Sequence, residues 1–237
     1  MNLKVATHNV CHMGMNPIDR SELFDGDTYR NGYPAEIIEM MRREWKNAYS
    51  LFDSDIIGIQ EYFPWFDLAR TIRAEDEVFK PLGMNVEYAG RNLALATKFP
   101  FRKEYQDTFD GISPRQKEKF TVDVGGREIA VFNCHPTPKA GNENIRALEY
   151  EKLIEIFSKE DTFIAFGDFN AQTPAEFEPF LKAGFNMANT GIVTEEKGRT
   201  TDNIIVSGNI KLTGVKTFDK EFVLSDHAIL WAELELD

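Results

Sequence analysis

Residues 163–170 read Phe-Ile-Ala-Phe-Gly-Asp-Phe-Asn. The short unbroken apolar run at the start of this stretch is that of a strand covered on both faces, and an acid and an amide follow at its carboxyl end. Other runs stop in the same way. Val5-Ala6-Thr7-His8-Asn9 ends on an amide, Ile57-Gly58-Ile59-Gln60-Glu61 ends on a carboxylate, and Val223-Leu224-Ser225-Asp226-His227 sets an Asp-His pair ahead of the last run. Polar groups are excluded from the runs themselves, so oxygen and imidazole donors gathered at their ends point to one shared site.

Working outward, β-branched and apolar runs recur at Leu3–Val10, Asp55–Gln60, Asn92–Thr97, Phe120–Val124, Glu128–Cys134, Thr162–Phe166, Asn203–Ser207, Lys211–Phe218 and Ala228–Leu236. Gly125-Gly126 between two of them reads as a tight hairpin turn. Helical spacing occupies Ala35–Phe52, where Ile38, Met41, Trp45, Ala48 and Phe52 share a face, and Asn144–Ser158. A short third helix, Phe177–Ala183, is opened by Thr173 as a cap and Pro174 at the first helical position. Helices alternate with strands early and strands dominate late. That order predicts an α+β fold in which two mainly antiparallel sheets pack face to face with helices outside. No internal repeat or Pro/Gly/Ser linker divides the chain, so a single domain over 1–237 is expected.

Composition narrows the partners. Of 237 residues, 27 are Lys or Arg and 39 are Asp or Glu, a formal charge of −12. Such a balance repels a long polyanion at distance, leaving nucleic acid as a partner that net charge does not support. No apolar run approaches the roughly 18 residues of a membrane span. The start, Met1-Asn2-Leu3-Lys4, leads straight into a strand pattern and not into a leader peptide, so a cytoplasmic protein is expected. A secreted protein shorn of its leader would carry the same sequence. Cys11 and Cys134 form no disulfide framework and read as reduced thiols. A monomer is expected.

The donors at the strand ends are hard oxygens: the carboxylates of Glu61, Asp168 and Asp226 and the amides of Asn9 and Asn170. They suit Mg²⁺, with Mn²⁺ as a substitute. No His-x-x-x-His or Cys-x-x-Cys spacing suggests a structural zinc. Taken together, Thr7-His8-Asn9, Gln60-Glu61, His135, Gly167-Asp168-Phe169-Asn170, Thr201-Asp202-Asn203-Ile204 and Ser225-Asp226-His227 resemble the endonuclease/exonuclease/phosphatase superfamily, in that family's order. Each motif alone is weak; six in order are not. The resemblance implies a four-layer α/β/β/α sandwich and divalent-metal hydrolysis of a phosphoester.

It also implies roles. Glu61 is expected to hold the metal, with Asn9 and Asp226 beside it. His227 is the expected general base or electrostatic partner of the attacking water, and Asp202 its orienting carboxylate. Asp168 would align or deprotonate the water, Asn170 would bond a phosphate oxygen or the nucleophile, and His135 would donate to the scissile phosphate. Arg91, Arg115, Lys139 and Arg199 are candidate substrate contacts, with Arg30 and Arg146. Arg146 reads equally as a solvated helix residue. The loop 11–34, with Tyr29 and Tyr33, is the largest candidate for selectivity.

Plainer readings stand beside these. Asp168 and Asn170 could cap the following helix, although Thr173 is the better cap. Asp226-His227 could be a turn, and Glu61 a solvated strand end. His8 faces away from Asn9 by strand alternation and reads as a buried histidine; Cys134, likewise turned from His135, reads as packing. Tyr62-Phe63-Pro64-Trp65 follows Gln60-Glu61 where abasic-site endonucleases usually carry a lysine, which disfavours that subfamily. Two enzyme substrates remain, a compact phosphodiester or phosphomonoester and, as the alternative, DNA or RNA cut by an endo- or exonuclease. A non-catalytic binding module on the same fold is the third reading; loss of Glu61, Asp168 or His227 would be its sign, and all three are present.

Overall fold

The structure, a computed structural model, describes residues 1–13, 35–62, 73–88 and 92–236; Tyr29, Arg30, Tyr33 and Arg91 lie outside them. In chain order the elements are β1 (Asn2–Asn9), α1 (Ala35–Phe52), β2 (Ile56–Gln60), β3 (Asn85–Tyr88), β4 (Leu93–Thr97), β5 (Phe101–Phe109), β6 (Ser113–Val124), β7 (Arg127–His135), α2 (Glu143–Phe157), β8 (Phe163–Asp168), α3 (Glu178–Lys182), β9 (Asn186–Met187), β10 (Asp202–Val206), β11 (Ile210–Phe218) and β12 (Ile229–Leu236). Short helical turns occupy Glu75–Phe79, Lys80–Leu82 and Pro174–Phe177.

Two six-stranded sheets result, ordered β11-β12-β1-β2-β4-β3 and β5-β6-β7-β8-β10-β9. Pairing is parallel between β1 and β2 and between β7 and β8, and antiparallel elsewhere. Strand alternation sorts the apolar side chains into three layers. Leu3, Val5, Ile56, Val131, Ile164, Phe166, Ile204, Leu230 and Ala232 fill the space between the sheets. On the far face of the first sheet, Ala6, Ile57 and Ile59 meet Met41, Trp45, Tyr49 and Phe52 of α1. On the far face of the second, Phe132, Ala165 and Ile205 meet Tyr150, Leu153 and Phe157 of α2. This is the four-layer α/β/β/α sandwich. Gly58 faces the inter-sheet layer with Phe166 so close that an added Cβ would lie 2.3 Å from the Phe166 Cβ. Any side chain at Gly58 would push the sheets apart.

Gly125 and Gly126 form the expected two-residue hairpin loop, at φ 67 and 90, the left-handed geometry such turns require. Three strands, β3, β5 and β9, have no counterpart among the expected runs, and β6 and the third helix differ from expectation. β6 begins at Ser113, well before Phe120, and pairs along its length with β5. The third helix is split into a 3₁₀ turn, Pro174–Phe177, and α3. Thr173 stands at the cap position of that turn, but its side chain makes no capping hydrogen bond. Among the described residues no helix is long and apolar enough to cross a membrane.

Glu118 of β6 is an ionisable group buried between the sheets. Burial pushes its carboxyl up to about 8, against a weaker opposing hydrogen bond from Asn133. A carboxyl raised on folding contributes stability that is fully present below its ordinary range, near pH 4.5, and is lost as pH rises through about 8. Thermal unfolding followed by circular dichroism should therefore show the melting temperature falling between those limits. Glu118→Gln should flatten that dependence and melt higher than the parent above pH 8. An unchanged pH slope in Glu118→Gln would show that Glu118 is ionised in the fold.

Candidate active site

The site lies where the inward rows of the two sheets run out of apolar residues. Val5 gives way to Thr7 and Asn9 in β1, Ile56 to Gln60 in β2, Val131 to Asn133 and His135 in β7, and Phe166 to Asp168 in β8. β10 runs antiparallel to β8 and sets Asp202 directly opposite Asp168. Residues far apart in the chain thus meet at one end of the sandwich.

Asp168 is the centre of the group. Its Oδ2 accepts a 3.0 Å hydrogen bond from Asn9 Nδ2 and lies 3.5 Å from His135 Nε2 and 3.8 Å from His227 Nε2. Its Oδ1 accepts from the Asn170 backbone N–H at 2.9 Å. Burial by itself would raise this carboxyl; His227, His135 and the Asn9 amide outweigh burial and hold it well below the usual carboxylate range. His227 donates from Nδ1 to Asp202 Oδ2 at 2.9 Å, and Thr201 Oγ1 donates to the same oxygen at 2.9 Å. Burial opposes a charge on His227, yet Asp202 and Asp168 hold the imidazole up to about 10. The ring is therefore held charged between Asp168 and Asp202, the carboxyl of Asp202 itself pushed up by burial.

Glu61 follows β2 at φ 52, a left-handed conformation that costs a non-glycine residue about 1 kcal/mol. Its partly exposed carboxylate lies 3.9 Å from His135 Nε2. Asn170 also has a left-handed φ, 57, which asparagine tolerates, and its Nδ2 donates to Pro136 O at 3.0 Å. Ser225 Oγ donates to the Asn9 carbonyl at 2.7 Å, tying the Ser-Asp-His turn to the end of β1. Asp226 is half-buried and forms an acidic group with Glu195 and Glu196.

His8 faces the opposite side, as alternation requires. It is fully buried against α1, and burial lowers its imidazole to about 3. Its Nε2 then donates to the His227 carbonyl at 3.1 Å, and its Nδ1 accepts from Tyr49 Oη at 2.9 Å. Cys134 likewise packs in the layer under α2.

Of the candidate cations, Arg115 points at the site, its Nη2 3.4 Å from His135 Nε2 and its buried Nε without a partner. Lys139 is exposed on the loop after β7. Arg199 is engaged by Glu195 at 2.9 Å. Arg146 is neither a phosphate contact nor a solvated residue. Its side chain is completely buried, donating to Glu176 at 2.9 Å and to the carbonyls of Lys139 and Thr137. Glu149, also buried, accepts from the Thr137 N–H and hydroxyl. Both residues of α2 pin the loop that leaves His135. A charged residue on a helix normally faces water, and nothing local in the sequence signals this inversion.

The donor set fits a divalent cation. The carboxylates of Glu61, Asp168 and Asp226 and the Asn9 amide are hard oxygens, and Cys134 is packed away from them under α2. Asn9 Oδ1 already accepts from the Cys11 N–H at 3.1 Å, leaving one lone pair. Asp168, Asp202 and His227 also lie close enough to share an ion. There, His227 Nδ1 is turned to Asp202.

A family model described as Endonuclease/Exonuclease/phosphatase family matches residues 6–227. Among solved structures, the endonuclease/exonuclease/phosphatase from Bacteroides vulgatus superposes with a TM-score of 0.68 at 19% identity, covering 100% of both chains. A D. rerio TDP2 humanized by 14 mutations gives 0.70 at 12% identity, over 99% of each chain. D. rerio TDP2 complexed with single strand DNA product gives 0.67 at 13%, again over 99% of each. No curated protein matches the sequence.

Proposed function

The chain belongs to the endonuclease/exonuclease/phosphatase family of metal-dependent phosphoesterases and nucleases. From that premise we propose that this chain hydrolyses a compact phosphodiester or phosphomonoester with Mg²⁺, or Mn²⁺ in its place, by direct attack of water. The observation that carries the reading is Asp168 Oδ2, where Asn9, His135 and His227 converge on one buried carboxylate. Glu61, with Asn9 and Asp226, would hold the metal, which when bound supplies charge neutralisation at the phosphoryl and leaving oxygens.

The remaining work belongs to the chain's own groups. Asp168, kept ionised, accepts a proton from the attacking water and aligns it. His227, fixed by Asp202 and Thr201, presents Nε2 towards the same water and the phosphoryl oxygens. His135 and Arg115 lie side by side as donors to those oxygens, and Asn170 keeps one amide hydrogen beyond its bond to Pro136. Lys139 and Arg199 are the outer contacts to the rest of the substrate.

Because an apolar core joins the two sheets and the metal's donors sit at one end of it, chelation should abolish turnover while the far-ultraviolet circular dichroism and the melting temperature hardly change. Cooperative unfolding on adding chelator would mean that the metal builds the fold, contrary to this account.

A second reading, cleavage of DNA or RNA, is favoured by the likeness to D. rerio TDP2 with its single strand DNA product. Salt dependence separates the two. With Arg115 beside His135 and Lys139 and Arg199 as outer contacts, few phosphates are neutralised. The slope of log kcat/KM against log salt should then lie between about −1 and −3 for any polynucleotide that is cut. Efficient cleavage of duplex DNA with a steep slope would favour the nuclease reading.

A further inference from the structure

Between the apolar inter-sheet core and the site lies one stratum of buried polar side chains: Thr7 of β1, Gln60 of β2, Asn133 of β7 and Glu118 of β6, all with no solvent exposure. Gln60 Nε2 donates to Asn133 Oδ1 at 2.7 Å and to Thr7 Oγ1 at 3.1 Å. The Asn133 amide donates to the Ile59 carbonyl at 3.0 Å, the Ala94 carbonyl at 2.9 Å and Glu118 Oε1 at 3.1 Å. Asn133 and Glu118 sit in one sheet and their remaining partners in the other, so Asn133 alone makes three cross-sheet hydrogen bonds.

Stability does not account for this stratum. Apolar side chains at these positions would extend the core and avoid the desolvation cost of each polar group left imperfectly paired; Glu118 Oε2 is such a group. What hydrogen bonds add is direction. Apolar faces attract without fixing their relative placement, whereas bonds of this geometry tolerate little sliding. The stratum also stands one step behind the site: Gln60 immediately precedes Glu61, Thr7 lies two residues before Asn9, and Asn133 two residues before His135.

We propose that Asn133, braced by Gln60, Thr7 and Glu118, is a positioning residue that sets His135 on one sheet against Glu61 on the other. The proposal rests on reading that end of the sandwich as the phosphoesterase site. Misplacement of reacting groups by an ångström can cost about a hundredfold in rate, so the stratum acts on kcat through geometry.

The test uses the full chain and a bis-aryl phosphodiester with Mn²⁺, assayed well below each variant's melting temperature. Asn133→Ala and Gln60→Leu should lower kcat by about ten- to a hundredfold with KM changed less than about threefold. Glu118→Gln keeps the acceptor for Asn133 and should stay within about twofold of the parent. The chain has only four histidines, so their ring resonances can be followed by NMR. The His135 resonance should move in Asn133→Ala while that of His8, in the other layer, stays in place. A folded Asn133→Ala with parental kcat, a loss confined to KM, or an unmoved His135 resonance would overturn the proposal. Should Asn133→Ala fail to fold, Thr7→Val carries the test. It is expected to lose about three- to tenfold in kcat and Thr7→Ser to restore it; an unchanged kcat in Thr7→Val would overturn the proposal. If the parent hydrolyses no phosphoester, the functional reading fails, and the His135 resonance alone still decides the positioning role.

Discussion

Asp168→Asn should lower kcat by about 10³-fold or more while the chain still folds cooperatively. The substitution keeps the shape and can keep the Oδ1 acceptor for the Asn170 N–H. It removes the charge on Oδ2, the atom shared by Asn9, His135 and His227. A neutral amide there cannot take the water's proton, and it leaves the His227 imidazolium with Asp202 as its nearest carboxylate. Stability should fall, because contacts that outweigh burial hold this carboxylate ionised and its loss leaves the buried His227 imidazolium with one carboxylate fewer. Single-turnover kinetics beside a circular dichroism melt would measure both quantities. Turnover within about tenfold of the parent would remove Asp168 from the reaction.

His227→Ala and Asp202→Asn should each cost about 10²- to 10⁴-fold in kcat, and the double variant should be scarcely worse than the poorer single one. The two are held at 2.9 Å, both buried, with Thr201 Oγ1 donating to the same carboxylate oxygen. An asparagine at 202 can still accept from Nδ1 but removes the charge that holds the imidazolium, so the ring is oriented without its ion partner. Residues that act as one unit lose their effect once. Multiplication of the two losses in the double variant would show that they act separately.

Much of this arrangement can be read along the chain because it is local. Phe163–Asn170 declares both a covered strand and the acid at its end, and the Ser-Asp-His turn announces itself just ahead of β12. Gly125-Gly126 needs no tertiary information, since a two-residue loop with both residues left-handed favours glycine. The readings that depend on distant partners are less legible. Phe101–Phe109 carries charges on its half-exposed face and little of the β-branched signal, so its pairing with β6 is concealed. The start of β6 is hidden by Arg115, Lys117 and Glu118, although Lys117 and Glu118 are buried. Arg146 is misread because only Glu176 and the loop carbonyls, set beside it by folding, make burial tolerable. Asn133 did leave a trace: within Val-Phe-Asn-Cys-His it is the polar residue at an inward position, two before His135. A lone inward amide in an apolar run points to a partner across the core.

Steady-state turnover of a panel comprising a bis-aryl phosphodiester, inositol and sugar phosphates, plasmid DNA and structured RNA tests the central claim most directly. Parent and Glu61→Gln would be compared under Mg²⁺, Mn²⁺ and chelator. The account predicts hydrolysis of at least one compact ester by the parent with either metal, none with chelator, and a loss of about 10³-fold or more in Glu61→Gln that added metal does not repair. Turnover that survives chelation, or that persists in Glu61→Gln at the parental rate, would contradict it.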